Sequence, residues 1–231
     1  LQDSLPLIRA NDTHLLNSAA NETITGNGQS VCIIDTGVDY THQALAGKII
    51  QGIDFVNNDA DAMDDNGLSH GTHIAGIVSA VAPDARIVPV KSCDASGGCL
   101  ASNILAGIDY CTNRSAELNI SVISGSLGDA GQYDSANCPD WFEPALLTAN
   151  SLGIINVYAS GNNGYQNGVS YPSCSQFSLS VGATDKFDSI AGFTNRGSRL
   201  DVLAPGVSIN STLRNGGYGL LSGTSMATPF V

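Results

Sequence analysis

Residues 69–91 read SHGTHIAGIVSAVAPDARIVPVK, and two periodicities meet inside them. Ile74, Ile77, Val78 and Val81 stand at i, i+3, i+4 and i+7, the stripe of a helix with one apolar face. The pattern stops at Pro83. RIVPVK (86–91) then runs apolar without alternation, as a strand covered on both faces would. Similar runs recur at SVCIID (30–35), KIIQGIDFV (48–56), ISVISGS (120–126), GIINVYAS (153–160), FSLSVGA (177–183) and LDVLAP (200–205). LASNILAGIDYC and WFEPALLTANSL supply further helices between them. Strand, helix, strand repetition predicts an α/β fold: a three-layer, doubly wound, mostly parallel sheet of about seven strands with helices on both faces. In such sheets, sites gather at the carboxyl ends of the strands.

The 231 residues fit one domain, and no repeat or linker divides them. A 42% apolar and 13% charged composition is that of a globular chain, and a net charge of −12 argues against nucleic acid or an anionic membrane as partner. No apolar run approaches the roughly 20 residues of a membrane helix. The opening LQDSLPLIRA has neither the basic start nor the apolar core of a signal peptide, so targeting is intracellular or a leader has been removed.

None of the six cysteines shows the paired C-x-x-C spacing of a zinc site. Cys93 and Cys99 flank the flexible DASGG, and Cys138 and Cys174 lie in loop-like sequence beside prolines. These four suggest two bridges, Cys93–Cys99 and Cys138–Cys174, in an exported protein. Cys32 in VCIID, and Cys111 on one helical face with Ile104 and Ile108, read first as small buried hydrophobes. Pairing of Cys32 with Cys111 is the alternative.

Three motifs stand where the fold places chemistry. IIDTG puts Asp35 at the end of a buried strand, SHGTHIAG puts His70 at a helix start on the inward face, and GTSMATP puts Ser225 at a turn opening a helix. Singly they read as a turn cap, a core histidine and a helix cap. His70 and His73 lack the glutamate of a zinc-binding H-E-x-x-H pair. The chain order Asp, His, Ser on an α/β fold is one of the known orders of a nucleophile triad, and it differs from the Ser, Asp, His order of α/β-hydrolase esterases. With these motifs the sequence resembles the subtilase, or subtilisin-like, serine endopeptidase family from about residue 7 onward.

The resemblance implies an Asp35–His70–Ser225 triad, with the oxyanion held by the Ser225 backbone N–H and the side chain of Asn162 in YASGNNG. Ser126, Leu127 and Gly128 of GSLGD would pair with an extended peptide, and Ala159, Ser160 and Gly161 would form the opposite wall. Asp129 stands where many relatives have a second glycine, which suggests a preference for basic substrate residues. Catalysis would need no cofactor. The carboxylates of DFVNNDADAMDDNG (Asp54, Asp59, Asp61, Asp64 and Asp65), and Asp201, resemble structural calcium loops of some relatives. A calcium site that many relatives build beside the histidine helix is expected to be absent, because that helix carries no insertion and Ala44 stands at the position of its aspartate. The implied partners are extended peptide or protein substrates and an inhibitory propeptide in the precursor, with an extracellular location. Residues 1–231 are expected to be a single catalytic domain lacking its propeptide and C-terminal part. A catalytically inactive binding protein of the same fold is the competing expectation.

Overall fold

The structure is a computed structural model that describes residues 4–18 and 23–231. Seven parallel strands form the sheet: β1 (Ser30–Asp35), β2 (Ile53–Asp54), β3 (Arg86–Lys91), β4 (Ile120–Gly125), β5 (Ile155–Ala159), β6 (Ser178–Thr184) and β7 (Val202–Pro205). Their order is β2-β3-β1-β4-β5-β6-β7. The chain therefore winds outward from β1 to one edge, returns, and winds to the other. The reversal falls between β1 and β4, where a doubly wound sheet opens a crevice at its carboxyl end.

Alternation along β1 and β3 explains why their apolar runs are unbroken. Cys32, Ile34, Val88 and Val90 pack toward α4 (Ala101–Asn113) and α6 (Glu143–Ser151), with Ile108, Cys111 and Leu146. Ile33 and Ile87 pack the other way, toward α3 (His70–Val81) and α7 (Thr224–Ala227), with Ile74, Ile77 and Ala227. The stripe Ile74, Ile77 and Val78 is buried as its spacing requires. Short helices α1 (Ser4–Leu7), α2 (Ala10–Thr13) and α5 (Ser115–Leu118) complete the helical set.

Two local expectations are corrected, and one element is added. KIIQGIDFV yields only the two-residue β2, although Ile87 bonds in both directions to Lys48 and Ile50 ahead of it. The next rung belongs to Pro89, which has no N–H to donate, so pairing lapses until Val90 and Lys91 resume it. Cys32 and Cys111 are fully buried, as small hydrophobes would be, but they are bonded to each other across the β1–α4 contact with Cα atoms 6.0 Å apart. Cys93–Cys99 and Cys138–Cys174 are also bridged. Finally, an antiparallel hairpin, β8 (Ile209–Leu213) and β9 (Gly217–Leu221), precedes Ser225. Its signal was the Asn215–Gly216 pair, which occupies the two positive-φ positions (61° and 77°) that such turns require.

Candidate active site

Asp35 ends β1 with its side chain buried. Its Oδ1 accepts from the Thr36 N–H at 2.7 Å and pairs with His70 Nδ1 at 2.7 Å. The strand end is itself fixed, since the Asp35 carbonyl accepts from the N–H groups of Ser92 and Cys93.

His70 is the first residue of α3, and tertiary neighbours cap that helix. Ser69 contributes no side-chain cap. The Asn66 side-chain oxygen accepts from the His70 N–H, Thr36 Oγ1 from the Gly71 N–H, and Asp64 Oδ2 from the Thr72 N–H. These are orphan donors of a helix start. The turn after Asp35 thereby holds the helix that carries His70. The approach is close enough to require glycine at position 71, where a Cβ would lie 2.0 Å from the Gly37 carbonyl oxygen. Burial alone would depress the His70 imidazole, but the charge and hydrogen bond of Asp35 outweigh it, and Asp64 adds to them. The pKa therefore lies above the ordinary 6.5. Its Nδ1 is engaged by Asp35, which leaves Nε2 as the nitrogen able to exchange a proton.

His73, one turn on, has no solvent exposure, and its Nε2 donates to the carbonyls of Ile209 and Gly219 on the hairpin. Ser211 and Thr212 return hydroxyl bonds to the carbonyls of His73 and Thr72. The hairpin so clamps α3 to the segment that enters α7 and Ser225. Burial lowers the His73 pKa to about 4. Between that value and the 6.5 of an unfolded chain, only the unfolded state binds the proton, so stability falls as pH drops through this window, by about 3 kcal/mol in all. His70 acts in the opposite sense: its raised pKa adds stability below 6.5 that is lost as pH rises through the native value. Urea denaturation at pH 7.5 and at pH 4.5 should show a smaller acid loss for His73→Gln than for wild type. Equal losses would remove His73 as the cause.

Ser225 is the second residue of α7. Its Oγ donates to the Ser126 carbonyl at 3.1 Å, and the Ser126 hydroxyl donates to the Ser225 carbonyl at 2.8 Å. α7 runs on into a 3-10 turn over Thr228–Phe230. Asn162 follows β5, and its Oδ1 accepts from both the N–H (2.8 Å) and the hydroxyl (3.0 Å) of Thr224. That pins the oxygen end of the amide. A Cβ placed on Gly223 would lie 3.5 Å from Asn162 Nδ2 and 3.7 Å from both Asn162 Oδ1 and the Ser225 nitrogen. The Asn162 amide and the Ser225 N–H thus lie side by side at the Gly223 turn.

Ser126, Leu127 and Gly128 after β4 face Ala159, which ends β5, and Gly161 beyond it across a cavity of about 320 Å³ that Asn162, Thr224 and Ser225 also line. Ser160 is fully buried and its side chain is no part of this wall. An apolar recess of about 200 Å³ adjoins it behind Leu127, with Ile104, Trp141, Phe142 and Tyr171. The Asp129 carboxylate accepts from the N–H groups of Gly131 and Tyr171 and from the Tyr133 hydroxyl. It ties its own loop together, which accounts for a carboxylate there without a basic substrate residue.

The candidate calcium ligands do not converge. Asp54 is buried and caps its own turn through Val56 and Asn57. Asp59 accepts from the Asp61 N–H, Asp61 from Tyr40 and Met63, and Asp201 from the Ser180 N–H. Asp64 turns inward and Asp65 pairs with Lys91. Among the described residues no three or more Asp, Glu, His or Cys side chains group to hold a metal. The residues named for calcium therefore do not fit a shared ion. No helix among the described residues is long and apolar enough to cross a membrane.

The seven-stranded parallel sheet with helices on both faces is a subtilisin-like α/β fold, and the Asp35–His70 pair stands at its switch point. Comparison with known proteins agrees: the model of the subtilase family matches residues 26–231. The chain is 42% identical to the thermophilic serine proteinase of Bacillus sp. (strain AK1) over 216 residues, 89% of this chain and 50% of that protein. It is 37% identical to thermitase of Thermoactinomyces vulgaris, covering 89% of this chain and 73% of the relative. It is 38% identical to subtilisin Savinase of Lederbergia lenta, covering 93% and 77%. A crystal structure of a cold-adapted subtilisin-like serine proteinase superposes with a TM-score of 0.78 at 34% identity, covering 96% of this chain and 81% of that one. The chain belongs to the subtilase family.

Proposed function

We propose that this chain is the catalytic domain of a secreted subtilisin-type serine endopeptidase. The observation that carries the reading is that Asn162 and Ser225 line one cavity, with the Asn162 amide and the Ser225 N–H side by side at the Gly223 turn. A carbonyl oxygen seated there would gain both bonds as it becomes an oxyanion. His70, oriented by Asp35, takes the Ser225 proton at Nε2 as Oγ bonds to the peptide carbon. It returns that proton to the amine as the C–N bond breaks, leaving an acyl-enzyme that water hydrolyses by the reverse roles. The base must be neutral to act, so activity should rise with pH through the elevated His70 pKa.

The groove between Ser126–Gly128 and Ala159–Gly161 suits an extended peptide that adds as a strand. Three bridges, with every described cysteine paired, suit an oxidising, extracellular setting. An inhibitory propeptide in the precursor belongs to the same reading.

Incubation with a fluorophosphonate and mapping of the labelled peptide tests the function. Label on Ser225 and hydrolysis of casein are expected; an unlabelled wild-type protein would make the fold a binding scaffold instead. Asn162→Ala should lower kcat on the order of 10²-fold with KM little changed, measured on a peptide anilide. An unchanged kcat would assign the oxyanion to other donors.

A further inference from the structure

The turn that carries Asp35 and the helix that carries His70 meet on one buried carboxylate. Asp64 has no solvent exposure and accepts four hydrogen bonds. At Oδ1 the donors are the Thr36 hydroxyl and the Asn66 N–H, each at 3.0 Å. At Oδ2 they are the Thr72 N–H (3.0 Å) and the Thr72 hydroxyl (2.6 Å). Thr36 Oγ1 also accepts from the Gly71 N–H, so the residue after Asp35 and the two residues after His70 all hang on this group. Burial pushes the Asp64 carboxyl above its ordinary value in spite of the opposing hydrogen bonds. A buried charge is costly even when paired, and a neutral acceptor would satisfy the Asn66 and Thr72 N–H groups without that cost. Packing alone does not account for it.

We propose that Asp64 is a positioning residue for the triad reaction: its carboxylate keeps the Asp35 turn and the His70 helix in register and supplies a second negative charge acting on the imidazole. This rests on the endopeptidase reading above and names a further residue of the same site.

The charged groups around His70 decide how that charge would be felt. Asp35 acts from β1 and Asp64 from the loop before α3. On α3 itself His73 is neutral above about pH 4. From β3 the buried Lys91 ammonium is bound to Asp65 Oδ1 at 2.5 Å and to the Thr36 carbonyl at 2.9 Å, so its charge is largely answered by Asp65. Asp64 is therefore the carboxylate acting on His70 that is neither its direct partner nor neutralised by a cation.

Asp64→Asn keeps the shape, removes the charge, and replaces one acceptor oxygen by an amide that cannot accept from Thr36 or Thr72. Its kcat should fall roughly tenfold with KM unchanged. The acid limb of its kcat/KM profile should move to lower pH by roughly half a unit. A purely structural role would lower Tm and move neither the limb nor kcat at a permissive temperature, and that result overturns the proposal, as would a loss confined to KM. If Asp64→Asn does not fold, Thr36→Val removes both bonds of the Thr36 hydroxyl, to Asp64 and from the Gly71 N–H, and keeps the charge. Its kcat should fall with KM and the acid limb unmoved, and an unchanged kcat overturns the proposal. A wild-type protein that takes no fluorophosphonate label defeats the endopeptidase reading itself. Label on Ser225 with an unaltered Asp64→Asn profile defeats only the role of Asp64.

Discussion

Ser225→Ala is expected to lower kcat by about 10⁶-fold, a magnitude taken from the corresponding replacement in subtilisin. The argument for so large a loss starts from how little else the change disturbs. The Ser225 backbone is held by the Ser126 hydroxyl on its carbonyl, and the turn around it by the Gly223 N–H on Gly206 and the Thr224 N–H on Asn162. None of these uses the Ser225 side chain. Alanine forfeits only the 3.1 Å bond from Oγ to the Ser126 carbonyl, so stability should change by about 1 kcal/mol or less. The nucleophile is lost, while the donors beside Gly223 remain and should sustain a residual rate above the uncatalysed one. Adding His70→Ala to Ser225→Ala should cost little more, because the residues act as a unit. Purified Ser225→Ala that keeps more than about a hundredth of wild-type kcat would mean that another group attacks the substrate.

Removing the Cys32–Cys111 bridge is expected to destabilise the fold more than removing either of the others. The bridge closes 79 residues of sequence separation, which by chain entropy corresponds to about 4–5 kcal/mol. Cys93–Cys99 closes only 6, corresponding to about 2 kcal/mol. Paired alanine replacements suit the test, because Cys32 and Cys111 are fully buried and a serine would leave unsatisfied hydroxyls in the core. Urea unfolding should order the losses by loop length. If the two double variants lose equally, restriction of the unfolded chain is not the source of the stabilisation. The bridge also matters locally, because it fastens β1, whose last residue is Asp35, to α4 on the far layer.

The helix α3 and the strand β3 were legible because burial repeats along them with a local period: Ile74, Ile77 and Val78 on one face, Ile87 against Val88 and Val90 on opposite ones. The motifs bearing Asp35, His70, Ser225 and Asn162 were legible as short strings for the same reason. Each string encodes one turn at the end of one element. The hairpin before Ser225 carries a local signal in Asn215–Gly216, but its strands, INSTL and GYGLL, are short and interrupted by polar residues and glycine, so no apolar run marks them.

Other features had no local signature. Nothing in DAMDDNG distinguishes Asp64, which turns inward to four donors, from Asp65, which reaches Lys91, or either from a loop able to bind calcium. The partner of Cys32, the capping of α3 by Thr36 and Asp64, and the closure of Asp129 onto Tyr171 and Tyr133 depend on contacts between residues up to 79 positions apart. The sequence by itself determined the layers of this protein, its sheet and its candidate nucleophile, base and carboxylate, because periodicity and turn chemistry act within a few residues. Only the tertiary structure decided which carboxylates are buried, which cysteines meet and what holds His70 to Asp35, because the free energy of a buried polar group is set by whatever donors the folded chain brings within about 3 Å of it.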